Sequence, residues 1–315
     1  MTQMLSILMP TYNHEKYIAK AIESALMQKT SYSWELLIHD DCSTDNTKAI
    51  AREYAQKYPE KITLLEESQN QGLIKSYKAL IDISKGKYLA ILESDDYWID
   101  ENKIQKQIDF LEQNPDYGLV AGDVITVDEN DNVIQIGKTN QSKRDTDYWY
   151  ERLLCNNGLW GACSVVFLKK SFEDYCNIDD YIAKGFVTFD HPVWLSISRH
   201  KKCKYIEETF AGYRYTASSI SNSSDGKKQM EFNVGIFKLE EYIVEKYGCG
   251  NISYEEWKNR NIQMLLGKAL KYRQRDCFVE CAKQLKVDSI TSFVVRKFPS
   301  IYYYQFTLRH KNRML

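Results

Sequence analysis

The sequence lacks the features that mark several common functional classes. Its 315 residues carry 42 lysines and arginines against 43 aspartates and glutamates, a net charge of -1. Because non-specific nucleic-acid binding depends on a strong basic excess, we expect no nucleic-acid partner. No run approaches the roughly 18 uncharged apolar residues that a membrane-spanning helix requires. The first residues contain no basic segment, and Pro10 interrupts a short apolar run, so we expect no signal peptide.

Paired cysteines are also missing. The eight cysteines are scattered and form no Cys-x-x-Cys pair. Without a secretory signal, this distribution predicts free thiols in a reducing, cytoplasmic environment.

Three nucleotide or hydrolase motifs are absent. The chain has no Gly-x-x-x-x-Gly-Lys-Ser/Thr loop, no Gly-x-Gly-x-x-Gly after the first strand and no Gly-x-Ser-x-Gly elbow. These absences exclude a P-loop NTPase, a dinucleotide-binding domain and the usual α/β-hydrolase. A phosphate ligand would therefore be held by side chains and a metal ion.

Strands and helices alternate in the first half of the sequence. Apolar runs at 5–9, 34–38, 62–65 and 88–92 are separated by segments with helical periodicity. This order predicts an α/β fold with a mostly parallel, Rossmann-like sheet flanked by helices. The pattern is helical from about residue 226 to the end, so we predict domains at 1–225 and 226–315, the first with halves at 1–135 and 136–225.

Polar clusters follow three of the predicted strands. They are Pro10-Thr11-Tyr12-Asn13, Asp40-Asp41-Cys42-Ser43-Thr44-Asp45 and Glu93-Ser94-Asp95-Asp96. Ligands of parallel α/β sheets bind at the carboxyl ends of the strands, where all three clusters are expected. Ordinary turn and capping chemistry is the alternative explanation for each cluster taken singly. Adjacent carboxylates at Asp95-Asp96 suit Mg²⁺ or Mn²⁺, which neutralises a diphosphate leaving group.

Four segments together resemble one known family. SILMPTYNHEKYIAKAIESALMQ, ELLIHDDCSTDNT, NQGLIKSYKAL and YLAILESDDYW are similar in order and spacing to the family 2 inverting glycosyltransferases, which have the GT-A fold. The resemblance covers about residues 4–135. It implies transfer of a sugar from a nucleotide-diphosphate sugar, with UDP favoured, to a hydroxyl of a glycan or lipid-linked acceptor. It also implies an Mn²⁺ or Mg²⁺ cofactor.

The resemblance assigns donor-side roles to matching positions. It implies that Asp41, with Asp40 beside it, contacts the base, that Asp96 holds the metal and that Asp95 approaches the ribose or sugar. The remaining nucleotide-sugar contacts that it implies are Pro10, Thr11, Tyr12, Asn13, Asn70, Gly72 and Lys75. Family members often carry Arg near the last position, and Lys75 keeps the charge without the bidentate geometry.

The second half supplies the remaining candidates. An inverting transferase needs a general base, and the resemblance points to Asp190 before an apolar helix, although Phe189 replaces a common Glu. A helix cap is the compatible alternative for Asp190. Arg214 is a candidate diphosphate contact, before a polar stretch at 217–228 that would close over the donor. Trp160 and His191 are candidate acceptor residues.

The last twenty residues are basic and aromatic. Residues 296–315 contain five lysines or arginines and no acid, interleaved with tyrosine and phenylalanine. This composition suits an anionic membrane surface, so we hypothesise peripheral contact with the inner face of the plasma membrane. A solvated tail, or one packed on the catalytic domain or on another subunit of an oligomer, is the alternative.

Two other functions remain open on the sequence alone. A nucleotidyltransferase also uses a Rossmann-like sheet and metal-binding carboxylates, but it normally has a glycine-rich basic loop after the first strand, where this chain has residues 10–13. A catalytically idle GT-A domain that binds glycans or partners is the non-enzymatic alternative. The retained acidic residues count against it.

Overall fold

The computed structural model describes residues 4–136, 148–155, 160–216, 219, 223, 225–287 and 289–309. The chain divides into two compact units, Met1–Tyr215 and Thr216–Leu315. The sequence placed this boundary near residue 225. Half of the polar stretch at 217–228 lies outside the described residues. The sequence pattern also predicts a helix at 145–154, whose first three residues lie outside them as well.

A single mixed sheet organises the first unit. Its strands are β1 (Leu5–Thr11), β2 (Trp34–Asp40), β3 (Ile62–Glu66), β4 (Tyr88–Ile91), β5 (Tyr97–Trp98), β6 (Tyr117–Val127), β7 (Val133–Ile136), β8 (Val166–Leu168) and β9 (Lys202–Arg214). They lie in the order β3-β2-β1-β4-β8-β6-β9-β5, and β7 pairs with β6.

The first four strands form the parallel part of the sheet. β1 pairs with β2 and β4, and β2 pairs with β3, all in parallel. Every residue of β1 and β4 is buried, as expected for strands covered on both faces. This part confirms the α/β class. Beyond β4 the sheet departs from the mostly parallel arrangement predicted: β8 is antiparallel to both β4 and β6, while β6 and β9 are parallel.

Eight helices accompany this sheet in the described part of the chain. They are α1 (Ile18–Leu26), α2 (Thr47–Lys57), α3 (Leu73–Ile83), α4 (Lys103–Gln113), α5 (Trp149–Cys155), α6 (Lys169–Tyr175), α7 (Ile178–Ala183) and α8 (Asp190–His200). In α1 the apolar residues recur every three or four positions, and Ile18, Ile22 and Ala25 are wholly buried in the core.

The second half of the first unit differs most from the pattern predicted. The sequence pattern predicts a strand at 162–168, where the structure has a 3-10 turn (Ala162–Ser164) followed by β8. It also predicts a short strand at 212–215, which is the end of the longer β9. β9 begins with alternating lysines, whose polarity hid the strand period. The short β5, β7, α6 and α7 were not predicted.

The second unit is helical, as the sequence predicted. Its helices are α9 (Gly226–Tyr247), α10 (Tyr254–Lys271), α11 (Arg275–Gln284), α12 (Ile290–Lys297) and α13 (Pro299–Arg309). Side chains cap three of them: Asp225 accepts backbone N–H bonds at the start of α9, and Ser253 and Ser289 do so at α10 and α12. Among the described residues, no helix is both long enough and apolar enough to cross a bilayer.

Candidate active site

The three polar clusters meet at one edge of the parallel strands. Thr11 ends β1 and lies in register with Asp40, which ends β2. Ser94, just beyond β4, donates a hydrogen bond from its Oγ to Thr11 Oγ1 at 2.7 Å. Because β1, β2 and β4 run in parallel, their carboxyl ends share this edge, and the clusters occupy the place where α/β sheets bind ligands.

Asp41 holds the loop at 70–72 against the end of β2. Its carboxylate accepts the backbone N–H of Gln71 at 2.6 Å and that of Gly72 at 2.8 Å. The side chain of Asn70 donates to the Asp41 carbonyl at 3.2 Å. Gly72 has φ +88°, a conformation that other residues rarely adopt, and it starts α3. The structure thus joins the predicted base contact to the predicted ribose and diphosphate segment. Lys75, one turn into α3, is exposed.

Asp40 lies deeper than its position beside Asp41 suggested. It is fully buried, and its Oδ2 accepts the N–H of Ser43 at 3.1 Å. Lys48 Nζ lies 3.5 Å from the same oxygen. These contacts shape the turn after β2. Ordinary turn chemistry, the alternative explanation for this cluster, also predicts such contacts.

The segment after β1 is fastened to the turn after β2. Asn13 adopts a left-handed backbone with φ +57°, which asparagine tolerates better than most residues. Its N–H donates to Ser43 Oγ at 3.0 Å, and its Oδ1 accepts the N–H of Thr44 at 2.8 Å. Tyr12, which precedes Asn13, is 43% exposed, so its ring is available to a ligand. Pro10 lies inside β1, in register with His39 of β2.

His14 extends this set, although the sequence analysis did not single it out. Its Nδ1 lies 2.7 Å from Ser94 Oγ, and its Nε2 lies 4.0 Å from Asp95 Oδ2. His14 therefore turns Nε2 toward the Asp95 carboxylate.

Arg214, at the end of β9, clamps the Asp95-Asp96 turn. Its backbone N–H donates to Asp96 Oδ1 at 2.8 Å, and its Nε donates to the Asp95 carbonyl at 2.8 Å. Its Nη1 and Nη2 donate to the Asp128 carbonyl and to Asp131 Oδ1. The side chain is 2% exposed and lies over the Tyr17 ring. These contacts show that Arg214 stabilises the turn that carries Asp95 and Asp96. A diphosphate contact by Arg214 stays a prediction.

Asp131, one of the partners of Arg214, is a shared anion. Lys20 Nζ lies 2.8 Å from its Oδ1. Burial raises the pKa of Asp131, but hydrogen bonds from Lys20 and Arg214 outweigh it and hold the pKa below its usual value. The turn between β6 and β7 is therefore tied to both α1 and β9.

Asp190 is the first residue of α8. Phe189 occupies the N-cap position, and no side-chain capping bond is made there. The Thr188 hydroxyl donates to Asp190 Oδ1. His191 is buried at 5% exposure, next to Asp190 in the first turn. A carboxylate at this end of a helix is favoured by the helix dipole.

Glu93 joins the donor-side carboxylates to Asp190, and the sequence analysis gave it no role of its own. Burial, together with the negative charges of Asp95, Asp96 and Asp190, raises the pKa of Glu93 well above its usual value. Its Oε1 accepts a hydrogen bond from the Tyr77 hydroxyl at 2.9 Å. A carboxyl at a strand end, two residues before an acidic pair, was the available signal. The structure thus brings four carboxyl groups into one electrostatic neighbourhood.

Trp160 is placed differently from a stacking platform. It is 2% exposed and packs edge-on against Trp149, with ring centroids 4.9 Å apart. A tryptophan packed in the core is the alternative to a sugar contact on the sequence, and this environment matches it; an acceptor contact by Trp160 stays a prediction.

Asp95 and Asp96 are ligands of the type that a hard divalent cation prefers, but they do not form a complete coordination shell. Among the residues that the structure describes, no group of three histidine, cysteine, aspartate or glutamate side chains is arranged around a metal position. Mg²⁺ and similar ions often take one or two carboxylates and obtain their other ligands from substrate phosphates and water. Asp95 and Asp96 fit that shared mode.

Comparison with known proteins gives consistent results. Residues 6–175 match the sequence model of glycosyl transferase family 2. The Escherichia coli UDP-Glc:alpha-D-GlcNAc-diphosphoundecaprenol beta-1,3-glucosyltransferase WfgD is 30% identical over 228 residues, which cover 72% of this chain and 83% of that protein. An uncharacterized Mycobacterium tuberculosis protein is 38% identical over 112 residues, 36% of this chain, but the match spans only 32% of that protein.

Two solved structures share the fold. TarS of S. aureus, residues 1–349 in complex with UDP-GlcNAc, superposes with a TM-score of 0.68 at 13% identity, covering 99% of this chain and 92% of that one. The Pyrobaculum calidifontis mannosyltransferase PcManGT, in complex with GDP-Man and Mn²⁺, gives a TM-score of 0.54 at 13% identity, covering 96% and 83%. At these identities the likeness establishes the GT-A fold alone.

Proposed function

Because this chain belongs to glycosyl transferase family 2, we propose that it transfers one sugar, with inversion, from a nucleotide-diphosphate sugar to an acceptor hydroxyl. The observation that carries the proposal is the pair of contacts made by Tyr77. Its hydroxyl donates to Glu93, two residues before Asp95, and its ring stacks on Phe189, which immediately precedes Asp190. A donor-side acidic pair and a candidate base therefore lie near one another, as a single displacement requires.

In this proposal each carboxylate has a separate task. Asp190 takes the proton from the acceptor hydroxyl as that oxygen attacks the anomeric carbon. Asp95 accepts hydrogen bonds from ribose or sugar hydroxyls, and Asp96 holds Mn²⁺ or Mg²⁺. When bound, the cation neutralises the negative charge that develops on the leaving diphosphate. Asp41 keeps the segment at 70–72 in place beside the nucleotide.

UDP is the nucleotide that we favour for the donor. The name of the E. coli relative specifies UDP-Glc, and the TarS structure contains UDP-GlcNAc. The GDP-Man complex of the more distant mannosyltransferase marks GDP as the alternative to test. For the acceptor we favour a lipid-linked glycan, because the E. coli relative is named for a diphosphoundecaprenol-linked sugar.

A lipid-linked acceptor makes peripheral membrane contact by residues 296–315 part of the proposal, with a cytoplasmic location. Residues 310–315 lie outside the described part of the chain. In α13, Tyr303 is buried, whereas Ile301 is 56% exposed and Tyr304 is 65% exposed. Phe298 is also exposed and follows two exposed basic residues, Arg296 and Lys297. Apolar rings beside cations suit an anionic lipid surface.

Flotation with vesicles tests this contact. We expect binding to vesicles that contain anionic lipid and weak binding to purely zwitterionic ones. The triple substitution Phe298→Ser, Ile301→Ser and Tyr304→Ser should abolish binding to the anionic vesicles. A control variant with serine at Ile134 and Ile136, which are 55% and 73% exposed on β7, should float like the wild type. Equal flotation of both variants would refute contact through this segment.

Nucleotide release tests the proposed activity. The wild type is incubated with a panel of UDP- and GDP-sugars, in Mn²⁺ or in EDTA, with and without acceptor. We expect release from one donor, its loss in EDTA and in Asp96→Asn, and an inverted anomeric configuration in the product by NMR. Asp116→Asn, at an exposed aspartate beside Lys202, is the control and should behave as the wild type. Absence of release and of Mn²⁺-dependent donor binding would instead favour an idle domain. Transfer of a nucleotidyl group would favour the nucleotidyltransferase alternative.

A further inference from the structure

Helix α3 is attached to three parts of the candidate site. Its first turn is fixed at Gly72, whose N–H donates to Asp41. One turn further, the Tyr77 hydroxyl donates to Glu93 Oε1 at 2.9 Å. The Tyr77 ring also stacks on Phe189, with centroids 4.1 Å apart and ring planes 15° apart. A single rigid helix therefore contacts the nucleotide side, the acidic turn and the segment that carries Asp190.

Tyr77 makes the last two of these contacts with one side chain. It is 1% exposed, so neither contact exchanges with water. Phe189 is equally buried and also packs against Phe172, with ring centroids 5.9 Å apart. A tyrosine has only two rotatable side-chain bonds. Fixing its ring on Phe189 therefore fixes the direction in which its hydroxyl reaches Glu93.

The two partners of Tyr77 are backbone neighbours of the proposed reacting groups. Phe189 is the N-cap of α8 and immediately precedes Asp190. Glu93 begins the turn that carries Asp95 and Asp96, and its carbonyl accepts the Asp96 N–H at 3.0 Å. We propose that Tyr77 is a positioning residue that sets the separation between Asp190 and the turn at 93–96 that carries Asp95 and Asp96. The inference rests on the proposed function. A displacement of about 1 Å in such a geometry costs up to about 100-fold in rate.

Tyr77→Phe is the sharpest test because it keeps the stack on Phe189 and removes only the hydroxyl. We expect kcat to fall about tenfold or more while KM for the donor stays within about twofold. The matched control is Tyr88→Phe. Tyr88 is 2% exposed, and its hydroxyl donates to Glu112 Oε1 at 2.8 Å, but it lies at the start of β4, away from the site. The control should lose similar thermal stability and keep kcat.

A second variant tests the other contact. Phe189→Leu removes the stacking partner and leaves the hydroxyl bond to Glu93. If Tyr77 acts through both contacts, the kcat loss in Tyr77→Phe/Phe189→Leu should be smaller than the product of the two single losses. Independent, multiplicative losses, or a Tyr77→Phe kcat equal to that of Tyr88→Phe, would overturn the proposal.

Hydrogen–deuterium exchange gives a readout that does not depend on turnover. Tyr77→Phe should speed amide exchange in 93–96 and Phe189→Leu should speed it in 189–193, whereas Tyr88→Phe should speed neither. Unchanged exchange in either segment overturns the positioning role even in an enzyme that turns over. Changed exchange in a protein that releases no nucleotide from any donor would support the role of Tyr77 as a link and refute the proposed function, so the two failures are distinguishable.

Discussion

Lys103 in α4 makes the folding stability of the first unit depend on pH. The side chain is fully buried, and its Nζ donates to Gln107 Oε1 at 2.8 Å and lies 4.3 Å from the centroid of the Trp98 ring. Burial lowers the pKa of Lys103 from 10.5 to about 7. Between pH 7 and 10.5 the native state therefore favours the neutral amine, whereas the unfolded chain keeps the ammonium form.

The sign of the effect follows from proton counting. Between pH 7 and 10.5 the unfolded state binds more protons at Lys103 than the native state does, so this residue makes stability rise with pH. The depression from 10.5 to about 7 corresponds to about 5 kcal/mol of destabilisation at pH 7 or below. This penalty shrinks by about 1.4 kcal/mol per pH unit and vanishes near pH 10.5.

Lys103→Met removes the titrating group. The variant loses the penalty but leaves Gln107 Oε1 without its donor, which costs about 1–3 kcal/mol. We therefore predict that Lys103→Met is about 2–4 kcal/mol more stable than the wild type at pH 7, an advantage that falls by about 2.7 kcal/mol by pH 9.

Equilibrium unfolding in urea at several pH values between 7 and 9 measures this difference. Other titrating groups cancel between the two proteins. The control is Lys106→Met on the same helix, because Lys106 is hydrogen-bonded to Asp100 and Glu208, which raise its pKa. The control should show no slope in this range. A stability difference between Lys103→Met and the wild type that does not change with pH would refute the reasoning.

Three further substitutions test the site. Arg214→Lys keeps the charge but loses most of the side-chain hydrogen bonds that Arg214 donates around the turn at 93–96. We expect the Mn²⁺ concentration for half-maximal activity to rise about tenfold. An unchanged Mn²⁺ titration would contradict this. Gly72→Ala puts a side chain on a backbone at φ +88° with open space around it, so thermal unfolding should report a loss of about 1–3 kcal/mol from strain alone. Asp41→Asn leaves one side-chain oxygen for two N–H donors; calorimetry should show UDP binding about tenfold weaker, and wild-type affinity would refute the role of Asp41.

The parallel part of the fold could be predicted because its signals are local. Each strand from β1 to β4 is a short apolar run, and a polar cluster marks where three of them end. The antiparallel part could not be predicted, because its pairings depend on partners distant in the sequence. Thus β8 joins β4 to β6 across more than forty residues. The polar start of β9 is a strand because it pairs with β6, and the local sequence pattern does not indicate that pairing.

The site shows the same division. The positions of Asp41, Asp95 and Asp96 follow from strand ends, which a motif locates. The burial of Arg214 and Trp160 does not, because it is decided by elements that pack over them. Glu93 escaped notice because a single glutamate at a strand end looks like any turn residue. Its raised pKa comes first from burial and then from Asp95, Asp96 and Asp190, the last of which lies nearly one hundred residues later in the chain.

The most direct test of the proposed mechanism is the activity of Asp190→Asn. The substitution keeps the size of the side chain and removes the proton acceptor. We predict that Mn²⁺-dependent UDP binding, measured by calorimetry, stays within about twofold of the wild type. Sugar transfer should fall by about 10²–10⁴-fold, the contribution of a general base. Asp116→Asn, treated identically, should retain both binding and transfer. Transfer by Asp190→Asn at the wild-type rate would contradict the assignment of Asp190 as the base.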